Sequence, residues 1–266
     1  MDLEGNPSAC HNTVVFMDEY CHAIDIMDTL PAILALGLAA YILSDEIRSK
    51  MGGDEPTHSG RLCDYRCPGV VFKPISAALA RGVRLLEVHI APDPSGEPLV
   101  MKRIDDEYDG DSFESVCVTL VNEAFPSEYP LILSIVPHTD STVTLNRVAY
   151  HLKTTLHRQI LETQESVDQM LLGQLANKLV IVAGPEVRGS NLEKLVSLSW
   201  GSSALRRLEY SQAVHPRDPE ELRAYNRDHI TLVGPTRVYP DAPLSVYTYG
   251  CQWNLFGTGS GFEAVP

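Results

Sequence analysis

The amino-acid sequence predicts an α/β protein built on a parallel sheet. Three observations carry that expectation. Short apolar runs such as "LLEVHI", "LILSIV" and "KLVIVAG" are of the kind a parallel sheet buries on both faces. Segments with helical spacing lie between them, long enough for the crossovers that parallel strands require. The length of 266 residues suits one large domain, and β/α barrels of about 250 residues form single units. Pattern alone does not choose between an open sheet and a closed barrel.

Taken in order, residues 1–29 mix polar, acidic and aromatic side chains without a sustained period. Leu30 to Leu43 is an apolar helical run extending to about residue 48, with Pro31 near its first turn. Fourteen residues fall short of the roughly twenty a membrane span needs, and "SDEIRSK" closes the run, so it reads as a docked helix. Met51 to Gly60 is a loop, and "LCDYRCPG" continues irregularly to Gly69. "KPISAALARG" reads as a helix stopped by Gly82, and "VRLLEVHIA" as a strand before the "PDPSGEP" turn. "LVMKRI" is a second short strand. Ser112 to Phe125 places Phe113, Val116, Cys117, Leu120, Val121 and Ala124 on one helical face. The strand "YPLILSIVPH", a helix over Thr144–Glu162 and the strand "NKLVIVAG" follow, after which the pattern is less regular.

Thirty-five acidic against 21 basic residues give a formal charge of −14, a field that repels nucleic acid and anionic membrane. A nucleic-acid partner is excluded on that ground. The six scattered cysteines point to a reducing compartment, with Cys117 a buried thiol. The opening "MDLEGNPSAC" has no basic segment leading into an apolar core, so a cytoplasmic location is expected, peripheral to a membrane at most. Cys63 and Cys67, even with Cys10, His11, Cys21, His22 and His58, match no standard zinc spacing. Dinucleotide, P-loop, zincin and nucleophile-elbow motifs are absent. The informative polar residues sit at strand ends: Glu87 and His89, Lys102 and Arg103, His138 and Asp140. In a barrel, such positions converge on one mouth, where carboxylates hold a cation and histidines move protons.

With these segments in hand, the chain resembles the catalytic X and Y regions of eukaryotic phosphoinositide-specific phospholipase C. The likeness is strongest over "ARGVRLLEVHIAPDPSGEPLV" and "SFESVCVTLVNEAFPSEYPLILSIVPH", and continues through "LANKLVIVAG", "YNRDHITLVGPTRVYP" and "YGCQWNLF". It implies a TIM-type (β/α)8 barrel over residues 71–262, X-like over about 71–184 and Y-like over about 191–262, behind a poorly matching segment 1–70. The implied ancestral reaction is Ca²⁺-assisted hydrolysis of phosphatidylinositol 4,5-bisphosphate. One histidine acts as base on the inositol 2-hydroxyl, a second serves the phosphoryl group, and the ion lowers the nucleophile's pKa.

Position by position, the resemblance implies a depleted site. His11 resembles the first catalytic histidine and Asn12 a Ca²⁺ ligand, but about seventy residues separate them from Arg81-Gly82. Either residues 14 to about 60 are an insertion, or His58 takes the histidine position. Glu87 fits the first acidic ligand, whereas the second falls on His89, the second catalytic histidine on Ile104, and a further glutamate and its neighbouring asparagine on Val136 and Pro137. The phosphate-clamping lysines fall on Val182 and Gly184, and a serine-arginine pair on Thr231 and Leu232, while Arg237 persists. Lys102 and Arg103 offer a small basic point for a phosphate. The expectation is a catalytically degenerate phospholipase C-like barrel, without Ca²⁺ unless active. Its alternatives are an active Ca²⁺-dependent enzyme and a non-catalytic scaffold for phosphoinositide lipid, inositol phosphate or protein.

Overall fold

A computed structural model describes residues 58–104, 109–125, 127–234, 242–256 and 259–265. Eight parallel strands form the barrel wall: β1 (Tyr65–Val71), β2 (Leu85–Pro92), β5 (Leu131–Pro137), β6 (Leu179–Ala183), β7 (Leu198–Ser199), β8 (Leu205–Glu209), β9 (Ile230–Gly234) and β10 (Trp253–Asn254). Their order is β7-β6-β5-β2-β1-β10-β9-β8. The two ends, β7 and β8, approach through a bridge from Trp200 to Leu205 and a bond from Gly201 N–H to Leu205 O at 3.3 Å, so the barrel is nearly closed. β3 (Pro98–Met101) and β4 (Gly110–Ser112) extend β2 as an antiparallel flap, and β11 (Glu263–Ala264) pairs antiparallel with β1.

Alternation along the strands sorts the core into two shells. Leu85, Ile132, Val180, Val182, Leu198, Leu205, Ile230, Leu232 and Trp253 share the barrel interior. Leu86, Val88, Ile90, Leu133, Ile135 and Ile181 face outward against α2 (Phe113–Glu123) and α3 (Thr142–Leu156). The outer helices form where expected. α1 (Ile75–Ala80) stops before Gly82, whose φ of +79° suits glycine. Ser112 caps α2 by accepting the Ser115 N–H, and its predicted face is buried at Phe113, Val116, Cys117, Leu120 and Ala124. Ser141 caps α3 in the same way through the Thr144 N–H.

Three expectations are corrected. "LCDYRCPG" is not irregular: Tyr65–Val71 is β1, a central strand between β2 and β10, so the barrel begins ahead of residue 71. Pro68 and Gly69 disguised it. Gly69 is there because β2 passes so close that a Cβ would stand 2.6 Å from the Leu85 carbonyl oxygen. The helix expected to reach Glu162 ends at Leu156, and Ile160 bridges to Leu179 instead. The less regular C-terminal part contains four of the barrel's eight strands, two of them only two residues long.

Cys63, Cys67, Cys117 and Cys251 are free and buried. Burial pushes the Cys117 thiol up to about 12 and that of Cys251 up to about 11, which leaves both unreactive at neutral pH. The apolar run of residues 30–48 lies outside the described residues. Among the described residues no helix is long and apolar enough to cross a membrane.

Candidate functional site

Strand β2 sets the level of each group at the C-terminal mouth of the barrel, where active sites of such barrels lie. Its inward residues climb from Leu85, in the apolar interior, to Glu87 and then His89. Glu87 stands in register with Ser134 of β5 and through it with Val182 of β6. The Glu87 side chain is fully buried, and such a charge survives only when paired. Its partner crosses the barrel from β8. Arg207 Nη1 donates to Glu87 Oε2 at 2.5 Å and Nη2 to Oε1 at 2.9 Å, a two-point fork. Ser134 Oγ donates to Oε2 at 2.8 Å, and His89 Nε2 lies 3.2 Å from Oε1. Burial pushes the Glu87 carboxyl up, but the bonds from Arg207 and His89 outweigh it and hold the group at about 2.

The remaining contacts follow from that charge. An ionised carboxylate only accepts, so His89 Nε2 carries the proton toward Glu87. With a neutral ring, His89 Nδ1 then accepts from His138 Nε2 at 2.7 Å, giving a relay Arg207–Glu87–His89–His138. Phe72, at the end of β1, adopts φ of +51° and lays its ring 4.4 Å from that of His89. A bulky side chain in that conformation is a strained feature of a kind found at sites. Arg207 rests on the Trp200 ring at 4.9 Å, and Gly234 leaves it room, since a Cβ there would stand 2.9 Å from Nη2.

Among the described residues this donor set does not fit calcium. Such an ion takes six to eight oxygen ligands. Both Glu87 oxygens already accept two bonds each, and the neighbouring matched positions hold His89 and Val136, which stand side by side in register. Pro137 continues β5 beside Ile90. Among the described residues no group of three or more His, Cys, Asp or Glu side chains is arranged to hold a metal ion.

The other expected residues are spread over the barrel. His58 is not brought to Glu87. Its ring packs 4.6 Å from Tyr129, its carbonyl accepts the Gly173 N–H, and both neighbours precede strands, at the opposite end. Lys102 is half exposed and faces Asp109 at 3.4 Å and Asp111 at 3.3 Å, which raise its pKa. Arg103 and Ile104 follow β3, with Ile104 exposed. Val182 and Leu232 are interior wall residues, and Gly184 packs against Trp200. Thr231 is buried low on β9, where Oγ1 donates to Asn226 Oδ1 at 2.5 Å. His11, Asn12 and Arg237 lie outside the described residues. Arg207 and Ser134 were not singled out by sequence. The available signal was period two: Arg207 follows inward Leu205 by two residues, and Ser134 follows Ile132 in the same way.

The nearly closed parallel barrel, with polar groups gathered at its mouth, is a fold shared with solved phosphoinositide-specific phospholipases C. Residues 70–184 match the family model described as phosphatidylinositol-specific phospholipase C, X domain. That match takes in β2, β5, β6 and the last two residues of β1, somewhat less than half of the chain, and supports a likeness to phosphoinositide-specific phospholipase C. PLC21 of L. pealei aligns with a TM-score of 0.65 at 17% identity, over 75% of this chain and 34% of that one. This chain thus corresponds to about a third of that protein's length. A calcium-dependent phosphoinositol-specific phospholipase C from Pseudomonas sp aligns at 0.58 and 10% identity, over 80% of this chain and 98% of that one. The Ca²⁺-dependent phosphatidylinositol-specific enzyme of Streptomyces antibioticus aligns at 0.54 and 9%, over 74% and 94%. These likenesses concern the fold. No curated protein matches the chain.

Proposed function

We propose that this chain is a phospholipase C-like barrel that has lost Ca²⁺-assisted hydrolysis of phosphoinositides. The observation that carries the reading is the saturated Glu87, whose carboxylate is forked by the Arg207 guanidinium, its one permanent cationic partner among the described residues. The matched second histidine position is the exposed Ile104, and His58 belongs to the other end of the barrel. Ion and proton-transfer group each contribute orders of magnitude in rate, so their joint loss abolishes turnover.

Phosphoinositide lipid or inositol phosphate remains the ligand class that the family suggests, now for binding without turnover. The reading in which Lys102 supplies the basic point is weakened by Asp109 and Asp111, which compete for its ammonium. A cytoplasmic, membrane-peripheral location belongs to the same proposal. On vesicles containing phosphatidylinositol 4,5-bisphosphate the full chain is expected to release no inositol phosphate above background, with Ca²⁺ or with chelator. Release that chelator abolishes would overturn the proposal.

A further inference from the structure

A cavity of about 540 Å³ opens at the end of the barrel opposite the mouth, where strand N-termini meet. Cys63 and Asp64 reach it from the turn ahead of β1 and Arg66 from β1 itself, Arg223 and Arg227 from α4 (Pro219–Asn226) and the residue after it, and Tyr247 and Tyr249 from the segment before β10. Three guanidinium groups therefore line one hollow of a chain whose formal charge is −14. Arg223 and Arg227 are four residues apart and share a helical face. Arg66 lies over the Tyr247 ring at 4.6 Å, and Arg223 over the Tyr249 ring at 5.0 Å. A stacked guanidinium keeps its edge donors available for a planar or tetrahedral oxyanion.

The acids nearby do not saturate these groups. Asp64, the lone acid in the lining, is taken by Arg61, which bonds it through its backbone N–H at 2.7 Å and through Nη2 at 2.9 Å. Glu220 pairs with Arg223 at 2.5 Å, and Glu263 is the exposed cross-strand neighbour of Arg66. Among the described residues neither Arg66 nor Arg227 has a carboxylate at ion-pair distance, and Arg66 Nε is buried without a hydrogen-bond partner. A buried donor left open costs stability unless a ligand or water meets it.

The geometry points to a phosphate-binding pocket here, held by Arg66 and Arg227 with Arg223 at its rim and separate from the ancestral mouth. The ligand is a phosphate group, on a soluble molecule or on a lipid headgroup.

The test is calorimetric titration of the full chain at low salt with inorganic phosphate and pyrophosphate, beside flotation with vesicles containing phosphatidylinositol phosphate. Saturable binding is expected, weakened at least about tenfold in Arg66→Gln and in Arg227→Gln. It should be unchanged in Lys73→Gln, whose residue follows Phe72 and lines the hollow shared with Glu87 at the mouth. Arg227 is exposed and its side chain makes no bond among the described residues, so its variant should fold even if Arg66→Gln loosens Tyr247. Binding to soluble anions assigns a soluble ligand. Binding to vesicles alone, lost in both arginine variants, assigns the headgroup. Absence of binding to either probe would overturn the proposal, as would binding that survives both substitutions or depends on Lys73.

Discussion

Replacing Arg207 by methionine is expected to destabilise the barrel by about 3–5 kcal/mol at neutral pH, because it strands a buried carboxylate without its cation. Glu87 would keep only Ser134 and His89. The sign of the pH dependence provides a second readout. In the native chain the Glu87 carboxyl is lowered from 4.5 to about 2. Its contribution is therefore present above about pH 4.5 and lost as pH falls toward about 2, on the order of 3 kcal/mol in all. Without Arg207, burial raises the same carboxyl, so the variant should gain stability relative to the native chain on acidification. Combining Arg207→Met with Glu87→Leu should recover much of the loss, since an apolar pair avoids the desolvation cost. Chemical denaturation of the native chain, Arg207→Met and the double variant between pH 3 and 8 measures all of this. Equal stability of native chain and Arg207→Met across that range would show that the fork carries little.

Gln252→Ala is expected to cost a comparable amount, about 3–5 kcal/mol, at the opposite end of the barrel. Gln252 is fully buried ahead of β10, and its side chain does the work of a missing strand ladder. Nε2 donates to Asn226 O at 2.6 Å and His229 O at 2.8 Å, while Oε1 accepts the Thr231 N–H at 3.0 Å. Truncation opens a cavity and leaves three buried backbone groups to find other partners. Gln252→Glu should be at least as harmful at neutral pH, because a carboxylate would face two carbonyl oxygens, and milder in acid once it can donate. A loss under about 1 kcal/mol for Gln252→Ala would contradict this role.

Much of the wall was legible because apolar strands and amphipathic helices carry local periods. β6 is a continuous apolar run, β2 and β5 are mostly apolar, and α2 shows its buried face at Phe113, Val116, Cys117 and Leu120. β1 was hidden because Pro68 and Gly69 look like a turn, although Gly69 answers the close approach of Leu85. β7 and β10 are too short to have a period. The site was legible only in part. Glu87 and His89 stand out as polar residues in an apolar strand, but a salt bridge between residues 120 positions apart leaves no local mark on either. Thr231 illustrates the converse: its match to the serine of the family's serine-arginine pair suggested a substrate residue, and it is instead buried and bonded to Asn226 and Gln252.

The most direct test is a calorimetric titration of the purified chain with Ca²⁺ to several millimolar, spanning the weakest affinities of about 10⁻³ M typical of oxygen-ligand sites. With Arg207 seated on Glu87, no saturable binding is expected, and Glu87→Gln should give the same trace as the native chain. Saturable binding in the native chain that Glu87→Gln removes would place calcium, rather than Arg207, at the mouth of this barrel.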